Sequence, residues 1–163
     1  MLKKVESEND IKLLIKLADE IWHKYYPSII GKNQVEYMLK KFYDAWYIFD
    51  RINKGEENYF LIEDNEHYIG FVSFSEPFET YFIHKFYLHP DLHGTGIATK
   101  TLKKLFDDHF KNKNKPVRLT VNRQNIRAIN FYFKMGFIIE KVADFDIGNG
   151  FFMNDFVMVH RRC

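Results

Sequence analysis

The sequence predicts a mixed α/β (α+β) fold, with its elements in the order β-α-α-β-β-β-α-β-α-β-β. Three observations support this prediction. Apolar residues recur at helical spacing before residue 59, three strand-like runs rich in aromatic residues follow up to residue 88, and helical and strand patterns then alternate. Because 46% of the 163 residues are hydrophobic, the chain can bury a sizeable core. We expect one domain over residues 1–163.

Two helices are predicted near the N-terminus, after a short strand at residues 2–5. Ser7 and Asp10 have the spacing of a capping box, which opens the first helix. Its apolar residues lie at helical spacing: Ile11, Leu14, Ile15, Ala18, Ile21 and Trp22. The second helix is predicted from about Asn33, and one of its faces carries Val35, Met38, Leu39, Phe42, Trp46 and Phe49. We expect Phe42 and Trp46 to pack in the interior.

Strands dominate the prediction from residue 59 onward. The predicted elements are strands at 59–62, 68–74 and 80–88, a helix over about 96–111, a strand at 116–121, a helix over 125–135 and a hairpin formed by 137–145 and 151–159. Gly136 is a common type of residue just after a helix C-terminus. Gly148 and Gly150 supply the turn of the hairpin. This succession of elements is typical of a mixed sheet covered by helices.

Composition disfavours several classes of protein. The 24 Lys and Arg against 22 Asp and Glu leave a net charge of +2, without the basic excess that nucleic-acid binding needs. No apolar run reaches the roughly 20 residues of a membrane helix, and the N-terminal residues lack the apolar core of a secretory signal. Cys163 is the only cysteine, which excludes a disulfide within the chain and favours a reducing compartment. We therefore expect a cytoplasmic protein without nucleic-acid or membrane partners and, from its His, Asp and Glu spacing, without a metal.

A glycine loop joins the predicted strand 80–88 to the next helix. Gly94 and Gly96 lack Cβ atoms where the backbone has to turn sharply. The helix that follows leaves its first N–H groups without internal partners, and together with the helix dipole they suit a phosphate. A tight turn without a ligand is the alternative. A dinucleotide site is disfavoured because Thr99 stands where its fingerprint needs glycine, and no Gly-Lys-Ser/Thr of a P-loop is present.

Two motifs together resemble the GNAT superfamily of acyl-CoA-dependent N-acyltransferases. The family's loop pattern, Gln/Arg-x-x-Gly-x-Gly/Ala, is matched with histidine in first place by His93-Gly94-Thr95-Gly96-Ile97-Ala98. The later pattern, Asn-x-x-Ala-x-x-Phe-Tyr-x-x-x-Gly-Phe, is matched by Asn125, Ala128, Phe131, Tyr132, Gly136 and Phe137. The resemblance covers roughly residues 58–145, and the final hairpin is similar to that of bacterial polyamine acetyltransferases.

The resemblance implies an acetyl-CoA site. Its pyrophosphate is expected on the backbone amides of residues 93–99, namely His93, Gly94, Thr95, Gly96, Ile97, Ala98 and Thr99. Its pantetheine arm is expected to pair, as an added strand would, with the strand end at Phe86, Tyr87 and Leu88. Asn125 and Ala128 are expected beside the cofactor, where Asn125 orients the pantetheine or the helix of Tyr132. Tyr132 is the expected general acid for the departing sulfur, since a phenol with a pKa of about 10 is protonated at neutral pH.

The acceptor amine also has to lose a proton, because an amine with a pKa of about 10.4 is almost wholly ammonium at pH 7. His84 is one candidate base, since imidazole has a pKa of about 6.5 and some family members place a catalytic residue on this strand. A structural hydrogen bond is the competing interpretation of His84. Glu79 is a second candidate, and a water chain leading to a base is a third. No residue is placed to act as a covalent nucleophile, so direct transfer is preferred.

The resemblance also implies where the acceptor binds. Family acceptor pockets are lined by the connection between the first two helices and by the last hairpin, which here supply Tyr25, Tyr26 and Phe151, with Glu79 as a further candidate. Aromatic walls and carboxylates suit an amine cation. The implied activity is transfer of an acetyl group from acetyl-CoA to a small amine, polyamine or lysine-like acceptor. An acyl-CoA-binding regulatory module without catalysis and a protein N-acetyltransferase are the alternatives, and a homodimer is compatible with each.

Overall fold

The computed structural model describes residues 1–161, and its strands form one mixed sheet in the order β1-β2-β3-β4-β5-β7-β6. All neighbouring strands are antiparallel except β4 and β5, which are parallel. The strands are β1 (Leu2–Lys4), β2 (Asn58–Asp64), β3 (His67–Ser75), β4 (Tyr81–Leu88), β5 (Val117–Asn122), β6 (Ile138–Gly148) and β7 (Phe151–His160). The mixed fold predicted from the sequence is confirmed.

Six α-helices cover this sheet within the described part of the chain. They are α1 (Glu8–Tyr25), α2 (Pro27–Ile30), α3 (Lys32–Phe42), α4 (Ala45–Asn53), α5 (Ile97–Asp108) and α6 (Ile126–Lys134). The capping box predicted at the start of α1 is present, because the Ser7 hydroxyl accepts from the Asp10 amide at 3.1 Å and the Asp10 carboxylate accepts from the Ser7 amide at 3.2 Å. None of these helices is long and apolar enough to cross a membrane.

The second predicted helix is wrong in its extent. The chain leaves the helix after Phe42, and Asp44 then caps a separate helix α4 by accepting from the amides of Trp46 and Tyr47 at 3.0 and 3.1 Å. This restart changes the direction of the apolar face, so that Trp46 is 69% exposed instead of buried. The sequence prediction also missed α2, which begins at Pro27, a residue favoured in the first turn of a helix.

Two apolar cores lie on opposite faces of the sheet. Successive side chains of a strand point to opposite faces, so Phe60 and Ile62 pack beneath α5 and α6 while Tyr59 and Leu61 pack beneath α1, α3 and α4. The sheet is therefore covered by helices on both sides.

Strands β4 and β5 pair over their first three residues and then diverge. They are paired only at Tyr81↔Val117, Phe82↔Arg118 and Ile83↔Leu119. The register of β3 against β4 shifts just beyond this point, so that one extra residue, His84, forms a bulge in β4. Residues 84–88 then follow β3, while residues 120–122 of β5 follow β7. We call the resulting space between residues 84–88 and residues 120–122 the strand gap.

Candidate active site

A groove of about 730 Å³ runs along the open end of the strand gap. Its walls come from the end of α1, the C-terminal part of β4, the glycine loop before α5 and the outer side of α6. All three strand residues predicted to contact the cofactor line it, namely Phe86, Tyr87 and Leu88. The groove therefore joins the two motifs that the sequence analysis singled out.

The glycine loop presents a row of free amides to this groove. Gly94 and Gly96 have φ values of 84° and 85°, in the left-handed region that favours glycine. The amides of His93 and Thr95 donate to the carbonyls of Pro90 and Leu92 at 3.1 and 3.3 Å, so these two of the predicted donors are already used. Within residues 1–161 no acceptor is found for the other five amides, which belong to Gly94, Gly96, Ile97, Ala98 and Thr99. These amides stand at the positive end of α5, an arrangement that suits an anion, and we call them the candidate anion site.

His93 contributes no permanent charge at this site. Its ring lies 5.1 Å from the ring of Tyr25, measured between centroids. Partial burial lowers the pKa of His93, and the neighbouring Arg127 and His89 lower it further. The imidazole is therefore neutral at pH 7, and the candidate anion site is made of backbone groups.

Gly96→Val is expected to weaken acetyl-CoA binding by about tenfold or more. A side chain at this left-handed position costs about 1–2 kcal/mol of backbone strain. No protein atom lies within 4 Å of the added Cβ, and since Gly96 lines the groove, the new side chain would occupy space beside it. Titration calorimetry measures the affinity. Gly55→Val is the matched control, because Gly55 also has a positive φ and open surroundings but does not line the groove. Unchanged affinity in Gly96→Val would mean that the loop is only a turn.

Asn125 connects α1 to α6. It is buried at the N-cap of α6, where its Oδ1 accepts from the Ala128 amide at 3.2 Å. The same oxygen accepts from the Tyr25 hydroxyl at 3.1 Å. Tyr25 therefore borders the groove, where it holds the start of α6, and does not line the inner cavity described next.

A second, inner cavity of about 120 Å³ lies behind the groove, on the side of β5 and β7. Tyr26, Trp22 and Ile30 line it together with Gln34, Met38 and Met153. The two cavities share six lining residues: Tyr26, Phe86, Tyr87, Asn125, Ala128 and Tyr132. The inner cavity and the groove therefore meet at the strand gap.

Tyr132 stands where the two cavities meet. Its side chain is buried and packs against Phe131 and Phe137, with ring centroids 5.3 and 5.5 Å away. Within the described chain its hydroxyl makes no hydrogen bond, and burial raises the pKa of the phenol. Tyr132 is thus a protonated donor at neutral pH whose O–H is available to a ligand.

The two candidate bases are placed differently. His84, the bulge residue, lines the inner cavity, and its Nε2 lies 2.7 Å from the Ser75 hydroxyl. Although solvent reaches part of the ring, its partial burial disfavours the charged form and lowers the pKa of His84 to about 4, against the opposing effect of Glu57. The ring is therefore neutral at pH 7. Glu79 is exposed before the start of β4 and lines neither cavity. The structure thus does not bring Glu79 together with the other predicted site residues.

Phe151 is also placed away from both cavities. It packs against Tyr37, with ring centroids 5.1 Å apart, and so belongs to the core beneath α3. The hairpin contributes different residues to the inner cavity, Met153 and Asp155, because they lie further along β7 toward the strand gap.

Asp155 is the site residue that sequence reasoning missed. It lies on β7 opposite Asn122, is only 4% exposed and lines the inner cavity. Burial raises the pKa of its carboxyl to about 6, against smaller opposing effects of Thr120 and Arg123. A charged residue at an inward position of an otherwise apolar strand was the signal that could have identified it.

No three His, Cys, Asp or Glu side chains between residues 1 and 161 come together as a metal site. Cys163 lies outside the described residues.

Sequence comparisons agree with the geometry. Residues 16–137 match the sequence model of the Acetyltransferase (GNAT) family. An uncharacterized N-acetyltransferase from Methanocaldococcus jannaschii is 29% identical over 132 residues, which cover 77% of this chain and 58% of that protein. The match thus spans less than two thirds of that relative's length. A spermidine N(1)-acetyltransferase from Thermoplasma acidophilum is 28% identical over 152 residues, or 90% of this chain and 91% of that protein.

Solved structures share the fold. The PaiA N-acetyltransferase from Thermoplasma acidophilum, in complex with coenzyme A, has a TM-score of 0.78 at 23% identity over 99% of both chains. A dodecameric spermidine N-acetyltransferase from Vibrio cholerae has a TM-score of 0.67 at 19% identity, over 99% of this chain and 93% of that chain.

Proposed function

The chain belongs to the Acetyltransferase (GNAT) family, a family of acyltransferase enzymes, and we propose that it transfers an acetyl group from acetyl-CoA directly to a small primary amine. One observation carries this proposal: the groove with the candidate anion site and the inner cavity meet at Tyr132. A thioester held in the groove and an amine held in the inner cavity would react at this junction. The proposed catalytic domain spans residues 1–163.

The groove has the features that acetyl-CoA needs. Its pyrophosphate would accept hydrogen bonds from the amides of Gly94, Gly96 and residues 97–99, which are without acceptors in the described chain. The pantetheine arm carries amides of its own and would pair with residues 86–88 of β4, which β5 leaves unpaired. The thioester supplies an activated acetyl group, and the protein orients it toward the inner cavity.

Tyr132 is the proposed general acid. When the amine nitrogen attacks the thioester carbon, the C–S bond breaks and the sulfur takes a proton from the Tyr132 hydroxyl. Burial keeps that hydroxyl protonated, since it raises the pKa of the phenol above its usual value. Of the bases considered from the sequence, His84 alone lines the inner cavity, and we retain it as a proposed catalytic residue.

The inner cavity suits a small ammonium ion. Trp22 and Tyr26 provide aromatic walls whose faces attract cations, and the cavity is narrow compared with the groove. A spermidine N(1)-acetyltransferase is among the relatives along most of the chain. These observations support a polyamine or another unbranched alkylamine as the acceptor, and they disfavour a bulky aminoglycoside.

The test is an acceptor panel. The purified protein is incubated with acetyl-CoA and with spermidine, putrescine, propylamine, lysine, an aminoglycoside or a peptide with a free N-terminus, and released CoA is measured with a thiol reagent. We expect turnover with spermidine or the simple alkylamines. Acetylation of the aminoglycoside or the peptide alone would contradict the acceptor class, and tight acetyl-CoA binding without turnover of any amine would favour the regulatory module.

We also propose a homodimer in the cytoplasm. Strand β6 lies at the edge of the sheet and exposes Ile138, Ile139 and Val142, and a second copy of the chain would cover these apolar side chains. Light scattering decides the oligomeric state. The cytoplasm is proposed because the sequence holds a single cysteine.

A further inference from the structure

We infer that Asp155 binds the ammonium group of the acceptor in the inner cavity and takes its proton. This inference deepens the proposed function and rests on it.

Asp155 is a buried charge without a protein counterion. No Lys, Arg or His within residues 1–161 forms an ion pair with it. Arg123, the cation whose charge lowers the pKa of Asp155, is bound to Asp144 at 2.6 Å. An isolated buried carboxylate is destabilising unless something compensates it. Since the carboxylate lines the inner cavity, the compensating cation would be a ligand in that cavity.

Among the described residues, Asp155 is the acidic side chain that lines the inner cavity, so a cation bound there would be recognised by Asp155. Ionisable and polar groups from β4, β5, β6, α6 and the end of α1 surround the carboxylate. They are His84, Tyr87, Thr120, Asn122, Arg123, Asp144, Tyr132 and Tyr26. At pH 7 the hydroxyls and the His84 ring are neutral. Asp155 is therefore the anion that lines the cavity.

Asp155 is also the better proton acceptor of the two candidates. The pKa of its carboxyl is about 6, whereas the pKa of His84 is about 4, so a proton is held more strongly by Asp155. The Nε2 atom of His84 is moreover engaged with the Ser75 hydroxyl at 2.7 Å. His84, the bulge residue of β4, is then the alternative base, which the His84→Gln variant below tests.

The proton balance of the reaction closes with these groups. The ammonium gives one proton to Asp155, and the free amine attacks the acetyl carbon. The C–S bond breaks as Tyr132 protonates the sulfur, and the new amide nitrogen loses its second proton to the Tyr132 phenolate. Asp155 releases its proton to solvent, so the products are the N-acetylamine, CoA and one proton.

The test compares Asp155→Asn with Asp64→Asn, a carboxylate on β2 that lines neither cavity. At pH 7.5 we expect Asp155→Asn to raise the KM for spermidine by about tenfold or more and to lower kcat, with unchanged acetyl-CoA affinity. With propylamine and 2,2-difluoropropylamine as probes, the loss should be smaller for the fluorinated amine, because a larger fraction of it is neutral at this pH. Asp64→Asn should match the wild type.

A binding measurement separates this inference from the proposed function. Calorimetry with CoA-loaded protein should detect propylammonium binding in the wild type and its loss in Asp155→Asn, whether or not turnover occurs. Equal binding and equal kinetics in both proteins, or the full loss in His84→Gln instead, would overturn the role of Asp155. A wild type that binds propylammonium through Asp155 but acetylates no amine would contradict the proposed function alone.

Folding of the variant is checked by its thermal stability. Because the folded-state pKa of Asp155 is raised to about 6, the destabilising effect of this carboxyl grows as the pH rises from about 4 to 6 and is fully present above that, so Asp155→Asn should raise Tm by roughly 5 °C at pH 7.5. The gain should vanish below about pH 4, where the folded and the unfolded wild type both carry the protonated carboxyl. A variant that is less stable than the wild type at pH 7.5 would contradict an uncompensated buried charge.

Discussion

Tyr132→Phe is expected to lower kcat for acetyl transfer by about a hundredfold to a thousandfold, with little change in the KM for acetyl-CoA. The substitution keeps the ring that packs against Phe131 and Phe137 and removes only the hydroxyl. Without that hydroxyl the sulfur has to leave as an unprotonated thiolate, which removes the contribution of a general acid. The measurement is the steady-state rate of CoA release with the best amine of the acceptor panel.

The matched control is Tyr47→Phe, which removes a hydroxyl from helix α4, outside both cavities. Its kcat should equal that of the wild type. A Tyr132→Phe variant with wild-type kcat would remove Tyr132 from the acid role, while a raised KM alone would assign the hydroxyl to cofactor binding.

Glu57→Gln is expected to reduce the free energy of unfolding by about 3–5 kcal/mol, the range for breaking a buried ion pair by removing one partner. Glu57 is 3% exposed and accepts from Lys85 at 2.8 Å, from Arg51 at 2.7 Å and from the Ser73 hydroxyl. The variant leaves the ammonium of Lys85 buried without its anion, beside neutral groups such as the Tyr59 hydroxyl at 3.3 Å. Urea denaturation at pH 7 measures the loss.

The pH dependence of stability has a definite sign here. Burial alone would raise the pKa of Glu57, but the nearby Lys85 and His84 and the hydrogen bonds to the carboxylate lower it to about 2. Its stabilising effect is therefore present above the unfolded pKa of about 4.3 and is lost as the pH falls toward 2. The wild type should lose stability over this interval, and Glu57→Gln should lose less.

Glu56→Gln is the matched control, since Glu56 is the preceding residue, is exposed and also pairs with Arg51, at 3.2 Å. An exposed pair of this kind contributes little, so we expect a change below about 1 kcal/mol. Equal losses in the two variants would mean that the buried pair is not what stabilises this part of the sheet. Because Lys85 follows the bulge residue His84, the Glu57→Gln variant should also bind acetyl-CoA more weakly.

Local signals predicted most of the fold. The spacing of Ser7 and Asp10 was sufficient for the start of α1, because a capping box uses only neighbouring residues. The restart at Asp44 escaped prediction because the apolar spacing continues across it, and the capping of α4 outweighs that pattern. Helical spacing alone therefore overestimated the length of the second helix.

The candidate site shows the same difference between features that depend on neighbouring residues and features that depend on distant ones. The glycine loop and Tyr132 were identified because each lies within a short motif whose residues are close in sequence. Asp155 and the Glu57–Lys85 pair depend on contacts between segments that are far apart in sequence, and no spacing pattern in the sequence predicts these contacts. Phe151 lies away from the cavity although it is on the expected hairpin, because membership of the hairpin does not determine which of its residues reach the cavity.

If acetyl-CoA pairs with the strand gap as proposed, its binding and the folding of the chain are linked equilibria. Residues 84–88 carry backbone donors and acceptors that a continuous sheet would satisfy, and β5 leaves this edge open. A ligand that pairs with this edge completes the sheet, and it adds about 2.7 kcal/mol to the stability of the folded state when its concentration is 100 times its Kd. The lifetime of the folded enzyme in a cell would then follow the acetyl-CoA level, so that a cell short of acetyl groups would hold a protein that opens and is degraded more readily.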